Sequence, residues 1–253
     1  MKTFFVRTLH TLALGSALLF SIGSLAQEVP ATVEAAKPVK DIGTTYTVSP
    51  DTRDCAAPLC GGWILKAVNQ IAPRVQTEDE AYQTSLLAAN TIYVSKIDYK
   101  GLGLKPKQVE EFEVNIRSGQ ALIAGKVVSR PAPGQQRTDV LDAKAVWVSP
   151  NKAPAIGPYL KVSSSGIVCV TTPCPYFTVK VVNNTYTVNY DGLIFDRAEL
   201  DSEQEARAWQ AVSGEGLVLA GHRYYPEGET GTGTGISATK VFFSYPTKKP
   251  VRP

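Results

Sequence analysis

The chain holds little with which to perform enzymatic chemistry. Its 253 residues include only two histidines and four cysteines. His10 lies in an N-terminal stretch expected to be removed, so any serine–histidine–carboxylate set must use His222. No Gly-x-Ser-x-Gly nucleophile elbow, His-Glu-x-x-His signature or Gly-x-x-x-x-Gly-Lys-Ser/Thr phosphate loop occurs. Gly231-Thr-Gly233-Thr-Gly235 is glycine-rich. It lacks the lysine and the strand-to-helix setting that aim backbone N–H groups at phosphate, so a loop between antiparallel strands is expected. Neither sign of charge dominates. Loss of Lys2 and Arg7 with the N-terminus takes the 26 basic residues to 24, against 23 acidic ones. A net charge this small argues against nucleic-acid binding driven by phosphate neutralisation. Beyond the N-terminus no apolar run approaches the roughly 20 residues that a membrane span needs.

What is present begins with that N-terminus. Lys2 and Arg7 precede a largely apolar stretch from Thr11 to Ser24, and Ser24-Leu25-Ala26 offers small residues for cleavage. Residues 1–26 read as a secretory signal peptide cut after Ala26. No cysteine follows the apolar run, so a lipid anchor is not indicated. Residues 27–43, rich in Ala, Val, Pro and Lys, read as a flexible leader. The expectation is an exported protein, periplasmic or extracellular, with no membrane span after cleavage.

Export decides the cysteine chemistry, because disulfides persist in oxidising compartments. Cys55 and Cys169 are 114 residues apart, as are Cys60 and Cys174, and Asn69 and Asn183. Four cysteines allow three connectivities. The repeated spacing favours Cys55–Cys60 and Cys169–Cys174. Chain entropy gives each short ring roughly 2 kcal/mol, so the bridge shapes its loop more than it holds the fold. A zinc site would need thiolates from both copies to converge, and thioredoxin-type redox work uses Cys-x-x-Cys. No metal and no cofactor are expected. Each ring instead presents a stiffened peptide: Ala56, Ala57, Pro58 and Leu59 in one, and Val170, Thr171, Thr172 and Pro173 in the other. Stiffening lowers the entropy lost on binding. These residues are candidate partner-binding loops, and tight structural turns are the alternative.

The repetition extends further. Trp63-Ile-Leu-Lys-Ala-Val-Asn69 corresponds to Phe177-Thr-Val-Lys-Val-Val-Asn183, and Ala124-Gly125 to Ala220-Gly221 at an offset of 96. The smaller offset implies an 18-residue insertion in the first copy, between Asn69 and Ile92. Part of it, Thr77 to Ala89, suits a short helix. A helix is expected from Pro106, with Val109, Phe112 and Ile116 on one face, and another from Asp201, capped through Gln204, with Trp209 and Val212 inward. Asn183-Asn184 is expected to turn a hairpin. The fold class expected is therefore α+β, a tandem duplication of a unit of about 100 residues, longer than a solenoid repeat. Each unit would hold a mostly antiparallel sheet, one main helix and one disulfide loop. The units would span 44–150 and 159–246, joined by a linker over 151–158 and followed by a tail over 247–253.

Acid–base catalysis would fall to His222, Asp98, Asp191 or Asp196, all near strand ends or turns, where a structural role is commoner. Tyr224-Tyr225 and Phe242-Phe243 are adjacent pairs, each expected to turn one ring outward from a strand. Asp51-Thr-Arg53-Asp-Cys55-Ala-Ala-Pro58-Leu-Cys60-Gly61-Gly62 and Gly166-Ile-Val-Cys169-Val-Thr171-Thr-Pro173-Cys174-Pro175 resemble the signatures of a group of secreted bacterial proteins classed only as a domain of unknown function. The resemblance implies export and duplication and carries no catalytic residue. The function expected is non-catalytic binding of a protein or envelope component. The alternatives are an enzyme inhibitor that uses the loops and an envelope hydrolase that uses His222 or an aspartate.

Overall fold

The computed structural model describes residues 42–54, 60–70, 91–132, 137–170, 173–225, 227–228 and 231–245. The expected signal peptide, nearly all of the leader, the short helix over 77–89 and the tail lie outside the described residues. In chain order the strands begin with β1 (Thr44–Pro50), β2 (Trp63–Ala67), β3 (Thr91–Val94) and β4 (Lys96–Asp98). Helix α1 (Pro106–Arg117), β5 (Ala121–Pro131) and β6 (Arg137–Val148) follow. Next come β7 (Tyr159–Ser164), β8 (Phe177–Val181), β9 (Thr187–Tyr190) and β10 (Gly192–Ile194). Helix α2 (Ser202–Ser213), β11 (Leu217–Tyr224), β12 (Glu227–Gly228), β13 (Gly231–Thr232) and β14 (Gly235–Ser244) complete the chain.

The expected pair of α+β units is not what forms. Twelve strands make one mostly antiparallel sheet, in the order β3-β2-β1-β5-β6-β14-β11-β7-β8-β9, with β4 beside β6 and β10 beside β14. The seam is β6 against β14, through Phe243↔Val148 and Ser244↔Trp147. Burial gives the physical reason. A strand with one solvated face alternates buried and exposed residues, whereas one covered on both faces does not. Every residue of β14 from Gly235 to Phe243 is buried, as is Ala121 to Gly125 in β5. One core lies under α1, around Phe112, Ile116, Leu65, Ile123 and Leu141. Another lies under α2, around Ala208, Val212, Val162, Val179 and Leu219. A third joins Leu122 and Val218, on the opposite faces of their strands, to Val68 and Phe242. Neither half could bury that third cluster alone.

Local chemistry explains most elements. Trp63, Leu65 and Ala67 are buried on β2 while Lys66 between them is exposed. In α1, Pro106 occupies the first turn, where no N–H partner is lost, and Phe112 and Ile116 face inward. Asp201 caps α2 by accepting from the Gln204 N–H at 2.8 Å, and Gln204 Oε1 accepts from Asp201 N at 3.2 Å. On α2, Val212 is buried as expected, while the other inner place is corrected by one position. Ala208 takes the core place and Trp209 is 37% exposed. Both long hairpins are bulged at matching places, Ala124/Gly125 and Ala220/Gly221. Gly43 and Gly157, both at positive φ, lie directly on the backbones of Gly125 and Gly221 and leave no room for a Cβ.

Candidate functional site

The β7–β8 hairpin carries one cysteine ring. Its last register pair is Ser164↔Phe177. Beyond it, Ser165 N–H donates to Tyr176 O at 2.8 Å and Ser165 Oγ donates to Pro175 O at 2.6 Å. The same Oγ accepts from Ile167 N at 3.1 Å, and Ser164 Oγ accepts from Gly166 N at 3.2 Å. Gly166 turns the chain at φ 73°. Cys169 and Cys174 are bonded, with Cys174 buried and Cys169 half-buried. Serine hydroxyls thus hold the stem, and a sulfur anchored in the protein holds the ring.

Apolar side chains among the described residues of this loop stand in water. Val168 is 92% exposed, Val170 is fully exposed, and Ile167 and Tyr176 are also exposed. A valine left in solvent forgoes roughly 1.5 kcal/mol or more of burial. Tyr176 meets Phe177 edge-on at 6.4 Å, and Phe177 meets Trp209 at 6.1 Å, so an aromatic row links the loop base to α2. Of the expected ring residues, Val170 and Pro173 are exposed, while Thr171 and Thr172 lie outside the described residues. Sequence reasoning missed Ile167, Val168 and Tyr176. A usable signal existed, because no charged residue occurs between Lys161 and Lys180.

The other ring belongs to a different kind of loop. Cys60 is buried and disulfide-bonded. Cys55, Ala56, Ala57, Pro58 and Leu59 lie outside the described residues. The stem is charged. Arg53 Nε and Nη2 both donate to the Asp51 carboxylate at 2.9 Å, and the guanidinium stands 5.0 Å over the Tyr93 ring. The Arg53 hydrogen bond holds the Asp51 carboxyl below its ordinary range.

The two hairpins meet at the ends remote from their rings. Asn69 Nδ2 donates to Tyr159 O at 2.7 Å and Val182 O at 2.9 Å, and its Oδ1 accepts from Tyr159 N at 2.8 Å. Asn183 reciprocates with Thr45 O at 2.8 Å, Val68 O at 2.9 Å and Thr45 N at 2.8 Å. Both asparagines sit at positive φ, 58° and 60°, which this side chain tolerates. Cys60 and the Cys169–Cys174 ring therefore lie at the far ends of their hairpins from this junction.

The candidate acids and bases are each engaged by backbone N–H groups, an arginine or a serine. Asp191 Oδ2 accepts from Thr234 N at 2.7 Å. Asp98 accepts from Lys100 N at 3.1 Å and from Arg130 Nη1 at 2.9 Å, and these partners, the backbone N–H first, hold its carboxyl low. Asp196, Ser237 and His222 come together, since Ser237 is opposite His222 in the ladder. Their connections are not those of a triad. Ser237 Oγ donates to Asp196 at 3.0 Å, and His222 Nε2 stands 3.3 Å from Arg197 Nη1. A guanidinium only donates, so Nε2 is the acceptor in this contact, and Ser237 Oγ is turned to Asp196. The aromatic pairs resolve unequally: Phe242 and Phe243 are both buried, contrary to expectation, while Tyr225 is exposed. Among the described residues no three His, Cys, Asp or Glu side chains are grouped to hold a metal. No helix among them is long and apolar enough to cross a membrane.

A family model described as a domain of unknown function, DUF6748, matches residues 44–248. No curated protein and no solved structure matches the chain.

Proposed function

We propose that this chain, which belongs to the family of the domain of unknown function DUF6748, is an exported, non-catalytic binding protein whose working element is the loop 165–176. The observation that carries the reading is an apolar tip held in water by a rigid stem. Val168 and Val170 are almost wholly exposed above a disulfide whose inner sulfur is buried. A flexible loop would collapse such side chains onto the protein, whereas this one keeps them available at low entropic cost. The disulfides suit the periplasm or the exterior. The partner class is a protein or another envelope component. Inhibition of a secreted enzyme is the form this takes if the tip enters an active-site cleft.

Photo-crosslinking tests the reading. p-Benzoylphenylalanine is placed at position 170 of the full chain, expressed for export, and irradiated in the native envelope. An adduct at position 170, absent when the probe replaces exposed Asn189 and lost in the Val168→Asp background, is the expected result. Equal labelling at both positions, or none at the loop, would overturn it. The competing hydrolase reading requires that His222→Ala or Asp191→Asn abolish a hydrolytic activity.

A further inference from the structure

Resting on the loop reading, we infer that the surface this loop engages is a lipid bilayer, into whose interface the Ile167, Val168 and Val170 side chains insert. Three independent features point there. The first is charge. A loop built for a protein pocket tolerates charged residues around its anchor, but inserting one into hydrocarbon is costly. Between Lys161 and Lys180 the chain has no charged residue, although charge is common elsewhere. The sibling loop at Asp51, Arg53 and Asp54 is built the other way, with an ion pair in its stem.

The second is the layering of side chains. Exposed Ile167, Val168 and Val170 lie beyond the last pair of the hairpin, and partly exposed Tyr176 stands at the base. Trp209, also partly exposed, is one ring further back, beyond Phe177. Tyr and Trp favour the headgroup level, where one end of the ring is apolar and the other wet.

The third is the pair of lysines behind the loop. Lys161 and Lys180 face each other directly across β7 and β8. Both are exposed, and neither has an ion-pair partner among the described residues. Like charges in that arrangement repel, and an anionic surface relieves the repulsion. They stand three residues from the last pair of the hairpin, roughly 10 Å at strand rise. That distance is about one Debye length at physiological salt, so both lysines are attracted by lipid phosphates without touching them. Insertion is shallow, because the loop carbonyls and N–H groups need water or headgroups around them.

Vesicle flotation with the full chain, purified after export, is the test. The wild type is expected to float with vesicles of phosphatidylethanolamine and phosphatidylglycerol. Val168→Asp/Val170→Asp is expected to weaken binding at least about 10-fold, and the milder Val168→Ser/Val170→Ser about 3-fold or more. Lys161→Gln/Lys180→Gln is expected to lose about 10-fold on these anionic vesicles and little on phosphatidylcholine, with salt reproducing the loss. Unchanged circular dichroism and melting temperature show that each variant is folded. A wild type that does not float, or loop variants that float equally well, would overturn the inference. If flotation fails while position 170 still crosslinks to a protein, only the lipid assignment falls. If both fail, the loop reading falls with it.

Discussion

Asp98 shows how a carboxylate that looks like a candidate acid is absorbed into structure. Its oxygens are taken by the Lys100 N–H and by Arg130, and its carboxyl is depressed as a result. A group depressed in the folded state contributes stability above the pKa it has when unfolded, about 4 for aspartate. That contribution is lost as the pH falls through the folded value. Asp98→Asn keeps an acceptor for Lys100 N–H and loses the charge. The wild type is expected to exceed this variant by about 1 kcal/mol at pH 7 in urea unfolding, with the gap closing towards pH 3. A gap independent of pH would count against the assignment. At this scale the sequence was informative about kind and poor about engagement. Asp191 and Asp196 were legible as turn residues. That Ser237 would reach Asp196, 41 residues away, or Arg197 His222, 25 residues away, depended on β10 and β11 both pairing with β14 in one particular register.

Among elements, the two hairpins β1–β2 and β7–β8 are joined by a device carried on single residues. Asn69 and Asn183 each pair two carbonyls and one N–H of the other hairpin. Replacing either by alanine strands those groups and also places alanine at positive φ. A loss of about 2 kcal/mol is expected for each single variant. Because the first substitution already loosens the junction, the double variant should lose less than the sum. Full additivity in urea unfolding would mean that the two clusters act separately. The asparagines' shared spacing and their suitability for the left-handed turn were visible in the sequence. Their bonding to each other's hairpins was not, since no local pattern specifies which carbonyls an amide will find. The helices were legible for the opposite reason. Pro106, the Asp201/Gln204 box and the positions of Phe112 and Ile116 act within one or two turns of chain. Trp209 failed because its neighbour Ala208 lies 100° away around the helix and fits closer to the sheet.

The whole molecule is decided at the seam. The described residues form one compact unit, with β6 and β14 hydrogen-bonded and the cluster of Val68, Leu122, Val218 and Phe242 drawn from both halves. Expressed separately, 44–150 and 159–246 would each expose part of that cluster and an unpaired central edge. The full chain should melt in one transition seen alike by circular dichroism and fluorescence, and the isolated halves should fail to give a cooperative transition. Two independently melting halves would restore the two-unit expectation. The sequence by itself determined the Cys169–Cys174 ring, the helices and most strands, because ring closure, capping and side-chain alternation are local effects. Only the tertiary structure decided that the strands share one sheet, that the Cys169–Cys174 ring lies at the far end of its hairpin from the asparagine junction, and that Val168 and Val170 stand out in water. Those outcomes depend on which apolar faces cover each other. The faces are written in the sequence, but their partners are set by the packing of the whole chain.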